Sequence, residues 1–170
     1  MLKSTNIFLR ALEPDDFDFL YEAENEEALW HVGELKQPIS LHTVQAYLEN
    51  AHQPIEDAKQ ARFAISTLAG ELVGLIDLFD YDAKNQRAGL GVVVLQQFRG
   101  KGFAQEAIER IKIYAKEHLL LHQLHAEIQE QNEKSLSLFK HCGFEVSGIL
   151  KNWQRTQDGF ENVYFLQCCL

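Results

Sequence analysis

Residues Leu90 to Phe103 read LGVVVLQQFRGKGF, and the helical run from Ala104 to His118 follows them directly. Aliphatic side chains fill the segment from Leu90 to Leu95 apart from Gly91, and three of them are valines, which favours a buried strand over the start of a helix. The strand gives way at Gln96 to a short turn holding Gly100 and Gly102, residues that reach backbone angles closed to others. Beyond it Ala104, Ala107, Ile108, Ile111, Ala115 and His118 recur at helical spacing, with charged residues between them. Strand, glycine turn and helix together make an anion cradle. The first amides of a helix lack internal partners and carry the positive end of its dipole, and glycines admit a phosphate close to them. Arg99 and Lys101 add positive charge beside the nest.

Two phosphate motifs are ruled out by single positions. The dinucleotide fingerprint needs a third glycine where Gln105 stands, and the P-loop needs Ser or Thr after its lysine, where Gly102 stands. Gln97 to Gly102 remains as Q-x-x-G-x-G, a pattern that any strand-to-helix turn with two glycines could also produce.

At 170 residues and 46% hydrophobic, the chain suits one domain, residues 1 to 170, with a substantial core. No leader-like segment opens it and no apolar run approaches bilayer length, so a cytoplasmic protein without a membrane partner is expected. A net charge of -9 and the lack of a basic cluster argue against a nucleic-acid partner. The same acidity is compatible with an amine substrate, although it also serves ordinary solubility. Cys142, Cys168 and Cys169 have no metal spacing and read as thiols, and the scattered histidines form no zinc motif, so no metal is expected.

Along the chain, Ile7 to Leu12 reads as a first strand. Asp15, Asp16 and Asp18 crowd the first turn of a helix that carries Phe17, Leu20 and Tyr21 inward. Glutamates from Glu22 to Glu34 form either a solvated face or a lip that draws in a cation. Ser40 suits the cap of a helix with Leu41, Val44 and Leu48 inward. Ala61 to Phe79 reads as a hairpin turning at Ala69 and Gly70, Gln123 to Glu130 as a strand, and Asn132 as the cap of a helix stopped by Gly143. Two strands, Phe144 to Trp153 and Gly159 to Leu170, close the chain.

Asn132 to Phe144, reading NEKSLSLFKHCGF, resembles the second motif of the GCN5-related N-acetyltransferases, N-x-x-[AS]-x-x-x-[YF]-x-[KR]-x-G-F, and Gln97 to Gly102 resembles their pyrophosphate loop. The opening FLRALEPDDFDFLY, the segment LVGLIDL and the closing hairpin are similar to the subgroup of spermidine and ribosomal-protein amino-terminal acetyltransferases. The resemblance implies a single α/β (α+β) domain: a mixed, mostly antiparallel twisted sheet flanked by helices, with splayed central strands. It implies acetyl-CoA as cosubstrate, with Val92, Val93, Val94 and Leu95 pairing to its pantetheine amides as an added strand would. Arg99, Gly100, Lys101, Gly102, Phe103 and Ala104 would hold the pyrophosphate. Asn132 would bond the pantetheine arm, unless it is only a helix cap, with Ser135, Phe139 and Lys140 along the far side.

The chemistry implied is direct attack of a neutral amine on the thioester, with the oxyanion held by a backbone amide and a base taking a proton from an ammonium whose ordinary pKa is near 10.4. The chain departs from the family twice: Phe139 stands where many relatives have a tyrosine acid, and Gly89 where many have a carboxylate after Arg-Ala. Thiolate leaves tolerably without an acid, but the base must come from elsewhere. Asp77 occupies a place where polyamine enzymes tend to have an acid. It is the expected base, acting through water, and with Glu34 an expected substrate contact; a plain hydrogen-bonded carboxylate is its other reading. Nothing in the spacing aims Glu127, Glu130, His125 or His141 at the thioester. The acceptor implied is a polyamine or diamine, the alternatives being a peptide amino terminus or a coenzyme-binding sensor with weak catalysis. A homo-oligomer is compatible with all three.

Overall fold

The computed structural model describes residues 2–25, 37–156 and 159–170. Strands β1 (Leu2–Lys3) and β2 (Ile7–Arg10) lead into a 3-10 turn at Pro14–Asp16 and helix α1 (Phe17–Asn25). Helices α2 (Leu41–Asn50) and α3 (Ile55–Ala58) precede β3 (Ala61–Thr67), β4 (Leu72–Asp82) and β5 (Arg87–Val94). Then come α4 (Phe103–Glu117), β6 (Gln123–Gln129), α5 (Glu133–His141), β7 (Glu145–Thr156) and β8 (Gly159–Cys169). The sheet runs β1-β2-β3-β4-β5-β6-β8-β7, antiparallel everywhere except between β5 and β6. This is the mixed, mostly antiparallel sheet flanked by helices that the resemblance implies.

Strand alternation divides the molecule into two faces. Ile76, Leu78, Ala88, Leu90, Leu124, Ala126 and their neighbours pack with Ile108 and Ile111 of α4 into the main core. On the other face Leu75 joins Leu20 of α1 and Val44 of α2 in a smaller cluster that includes the partly buried Val93. Gly74 lies where β4 and β5 approach closely: a Cβ there would stand 2.3 Å from the Val93 carbonyl oxygen. No described helix is long and apolar enough to cross a membrane.

Three details differ from the sequence reading. Asp16, expected in the first turn of the helix, lies instead in the 3-10 turn before it and is buried; its carboxylate accepts from Arg10 at 2.6 and 2.7 Å and from the Glu13 amide at 2.8 Å. Leu41 is 56% exposed and His118 is also exposed, stacked on Tyr114, so neither contributes to the inward face assigned to it. Both sit at helix ends, where periodicity outlasts the packing that gives it meaning.

Candidate active site

The parallel ladder between β5 and β6 is short. Arg87, Ala88 and Gly89 pair with Gln123, Leu124 and His125, and there the two strands part. From Leu90 to Val94, β5 keeps its antiparallel partner β4 but has no partner on the β6 side among the described residues. These are the splayed central strands, and Val92, Val93 and Val94 stand on the open edge. Leu95 follows, its amide donating to the Val73 carbonyl at 3.0 Å. An extended chain carrying amides can add to this edge as a strand would.

The edge leads into the anion cradle. Gly100 (φ +78°) and Gly102 (φ +82°) occupy the left-handed region, and a Cβ on either would meet no atom within 4 Å. Gly102 caps α4 without a side chain, which leaves the first amides of the helix, at Phe103 and Ala104, without a capping acceptor. Glu106 is the acid in that first turn, and Asn6 engages it: the carboxylate accepts from the Asn6 backbone amide at 3.0 Å and from Asn6 Nδ2 at 2.5 Å. Burial opposes its charge, but those bonds hold Glu106 below the usual carboxylate range. Arg99 Nε donates to the Val94 carbonyl at 2.8 Å, and the Lys101 ammonium lies 5.2 Å from the centre of the Phe98 ring, so both cations are anchored at the cradle's rim. An open nest, unpaired amides and two fixed cations suit a diphosphate.

The second motif divides. Asn132 caps α5, its Oδ1 accepting from the Ser135 amide at 3.1 Å, and the cap leaves its Nδ2 as a donor. Ser135 is half-buried and Lys140 exposed. Phe139 is corrected: it is buried, its ring edge-on to Phe144 at 5.0 Å, so it belongs to the core and offers no surface to a coenzyme. Cys142 is buried as well, and burial pushes its thiol up to about 11, far from a nucleophile's range.

On the opposite face, cross-strand register aligns Asp77 with Gly91 and Phe79 with Gly89, and Gly89 in turn with His125. Because β5 carries glycines at 89 and 91, its backbone forms the floor of a trough, with Asp77 and Phe79 along the β4 wall and His125 beside Gly89 on the other, where β6 begins to part from it. Phe79 explains the glycine that replaces the family's carboxylate: a Cβ on Gly89 would lie 2.2 Å from the Phe79 ring. At Gly91 the nearest Phe79 atom is 3.8 Å away, so the floor is accessible there.

Asp77 is held by Arg62, whose Nε donates to Oδ1 at 2.5 Å while Nη1 donates to Glu24 at 2.5 Å. The Tyr47 ring lies 5.3 Å from the Arg62 guanidinium carbon. Burial pushes the Asp77 carboxyl above its ordinary value; Arg62 offsets part of this, and the Glu24 carboxylate adds to the rise. Two carboxylates, Asp77 and Glu24, thus meet at one guanidinium beside the trough. Sequence reading singled out Asp77 and set Glu24 among the glutamates of an acidic lip but passed over Arg62, which meets both through strand register and helix packing. Glu34 lies outside the described residues. Among those described, no three His, Cys, Asp or Glu gather closely enough to hold a metal ion.

Comparison with known proteins places these features together. Residues 6–145 match the family model described as an acetyltransferase (GNAT) domain. A spermidine N(1)-acetyltransferase of Vibrio cholerae serotype O1 is 27% identical over 147 residues, covering 86% of this chain and 83% of the relative. That of Escherichia coli strain K12 is 25% identical over 150 residues, covering 88% and 78%. The crystal structure of the Vibrio cholerae enzyme with CoA and spermine superposes with a TM-score of 0.84 at 24% identity, over 96% of this chain and 95% of that one. A dodecameric form of the same enzyme superposes at 0.79. A putative ribosomal N-acetyltransferase of Bacillus subtilis is 33% identical, over 46% of this chain and 43% of its own.

Proposed function

The chain belongs to the acetyltransferase (GNAT) family and is an N-acetyltransferase, and from that premise we propose that it moves the acetyl group of acetyl-CoA to a polyamine or diamine, by direct transfer, as a cytoplasmic homo-oligomer. The observation that carries the acceptor is the Asp77 carboxylate, held by Arg62 and set in register beside the bare backbone of Gly91. A cation placed there would lie directly over the strand whose other edge receives the coenzyme.

In this reading the amides of β5 and the mouth of α4 hold acetyl-CoA, which supplies an activated acyl group. A β5 amide donates to the carbonyl oxygen as negative charge develops there. Asp77 takes the ammonium's first proton through water, its raised proton affinity narrowing the gap to the amine. With Phe139 in the core, thiolate departs without a side-chain acid. Exposed Val146, Ile149 and Trp153 on the outermost strand suit self-association, and a sedimentation mass equal to one 19.5 kDa chain would refute it.

Release of free thiol from acetyl-CoA tests the acceptor. Spermidine or putrescine is expected to turn over in preference to a ribosomal-protein amino-terminal peptide. Asp77→Asn is expected to lower kcat/KM for the polyamine by about a hundredfold. Preference for the peptide would move the acceptor to protein amino termini. Coenzyme binding with no turnover on any amine would leave a sensor module, the reading that Phe139 and Gly89 favour.

A further inference from the structure

Three residues stand in one row across the trough face. Arg62 of β3 is the register partner of Asp77 on β4, and Asp77 is the register partner of Gly91 on β5. Residues directly opposed on antiparallel strands bring their Cβ positions to about 4.5–5.5 Å, so Asp77 has the guanidinium on one side and the bare floor on the other. Its side chain keeps 28% of its surface exposed. Asp80 and Asp82 lie further down the sheet, lining a cavity of about 930 Å³ beyond the Phe79 and Gly89 pair with Gln123, which leaves Asp77 as the β4 carboxylate beside Gly91.

The guanidinium is itself fixed. Arg62 Nε donates to Asp77 Oδ1 at 2.5 Å, whereas Nη2 comes only to 3.4 Å from Oδ2, and Nη1 donates to Glu24 of α1. The Tyr47 ring of α2 lies against the same group. Burial opposes the Arg62 charge, but Asp77 and Glu24 outweigh it and keep the group protonated. A planar fork tied to two helices and a strand holds the carboxylate in one orientation: Oδ1 is bound closely, and Oδ2 is the oxygen with lone pairs to spare.

We propose that Arg62 is a positioning residue for the acceptor reaction: it grips Asp77 by Oδ1 and so presents Oδ2 to the floor at Gly91, as the oxygen that takes the ammonium's first proton through water. The proposal rests on the acetyltransferase reading above, in which Asp77 is the base. The proton passes from nitrogen to water and from water to Oδ2, leaving a neutral amine and a neutral carboxyl that returns the proton to solvent after transfer. Arg62 neither gains nor loses one.

Among the described residues, Arg62 of β3, Glu24 of α1 and Tyr47 of α2 are the charged or titratable groups that face Asp77, and β5 presents Gly91 there. Burial raises the Asp77 carboxyl, Arg62 lowers it and Glu24 raises it again. Removing the guanidinium therefore moves it further up, because the ionised form loses its partner, and the base stays protonated to higher pH. A side chain that only packed would leave that titration in place.

The test uses the full chain with acetyl-CoA and spermidine, following kcat/KM across the acidic limb of the pH profile. Arg62→Gln is expected to lower kcat/KM for spermidine by about thirtyfold, to leave KM for acetyl-CoA within about twofold, and to move the acidic limb to higher pH. Arg62→Lys restores a cation without the fork and is expected to fall between, with a loss of about fivefold and a smaller movement of the limb in the same direction. In the Asp77→Asn background, Arg62→Gln is expected to cost less than about threefold, since the two residues act as one unit. Rates within about twofold of the parent in both Arg62 variants, a loss with the limb unmoved, or the full loss repeated without Asp77 would each overturn the role. Should Arg62→Gln fail to fold, Arg62→Lys decides by the same two readouts. The two readings fail separately: a parent that turns over no amine refutes the acetyltransferase reading, whereas an active parent with unaffected variants ends only the role of Arg62.

Discussion

Alanine at both Gly100 and Gly102 is expected to weaken acetyl-CoA binding by at least about thirtyfold in a calorimetric titration, while the protein stays folded. Both residues hold left-handed angles, at φ +78° and +82°. That region costs a side-chain-bearing residue about 1–2 kcal/mol, so the pair costs about 2–4 kcal/mol, and each 1.4 kcal/mol is a factor of ten in affinity. A Cβ at either position meets no atom within 4 Å, so the variant would not clash with its own fold. The loop is expected to relax to ordinary backbone angles, and the amides at the mouth of α4 would then no longer converge. Unchanged affinity would show that the coenzyme is gripped elsewhere.

The second large effect is on stability. Gly89→Ala places a methyl 2.2–2.6 Å from three atoms of the Phe79 ring, and Phe79 in turn packs edge-on to His125. The ring cannot turn aside without disturbing that contact. Overpacking of this kind costs about 1–3 kcal/mol, which urea unfolding resolves. Phe79→Ala removes the obstacle, so the double variant is expected to be more stable than the sum of the single changes by about 1 kcal/mol or more. Simple additivity would mean that Phe79 does not dictate the glycine, and that the missing carboxylate needs another explanation.

The stretch from Leu90 to Phe103 was legible because each of its signals is local. Valines, a two-glycine turn and an amphipathic helix lie in sequence order, and each is decided within a few residues. Ser40 and Asn132 were likewise readable as caps, since a cap acts three residues away. The surroundings of Asp77 were not legible. Arg62 of the preceding strand bridges Asp77 and Glu24 of a helix, contacts set by register and packing. Gly89 is glycine because of a ring ten positions earlier, across a hairpin. His125 reaches the splay's vertex through a parallel pairing that the whole of α4 separates from β5, so no spacing rule could direct it there. Phe139 matched a motif position whose usual residue is polar. As phenylalanine it packs against Phe144, where burial of an aromatic ring is favourable.

Amide hydrogen exchange with and without coenzyme A tests most directly whether the open edge of β5 and the mouth of α4 form one binding surface. Protection on adding coenzyme A is predicted to concentrate at Leu90 to Leu95 and at Gly100 to Gln105, with little change in β1, β2 and β7. Protection absent from both segments, or confined to the cavity around Asp80 and Gln123, would contradict the account.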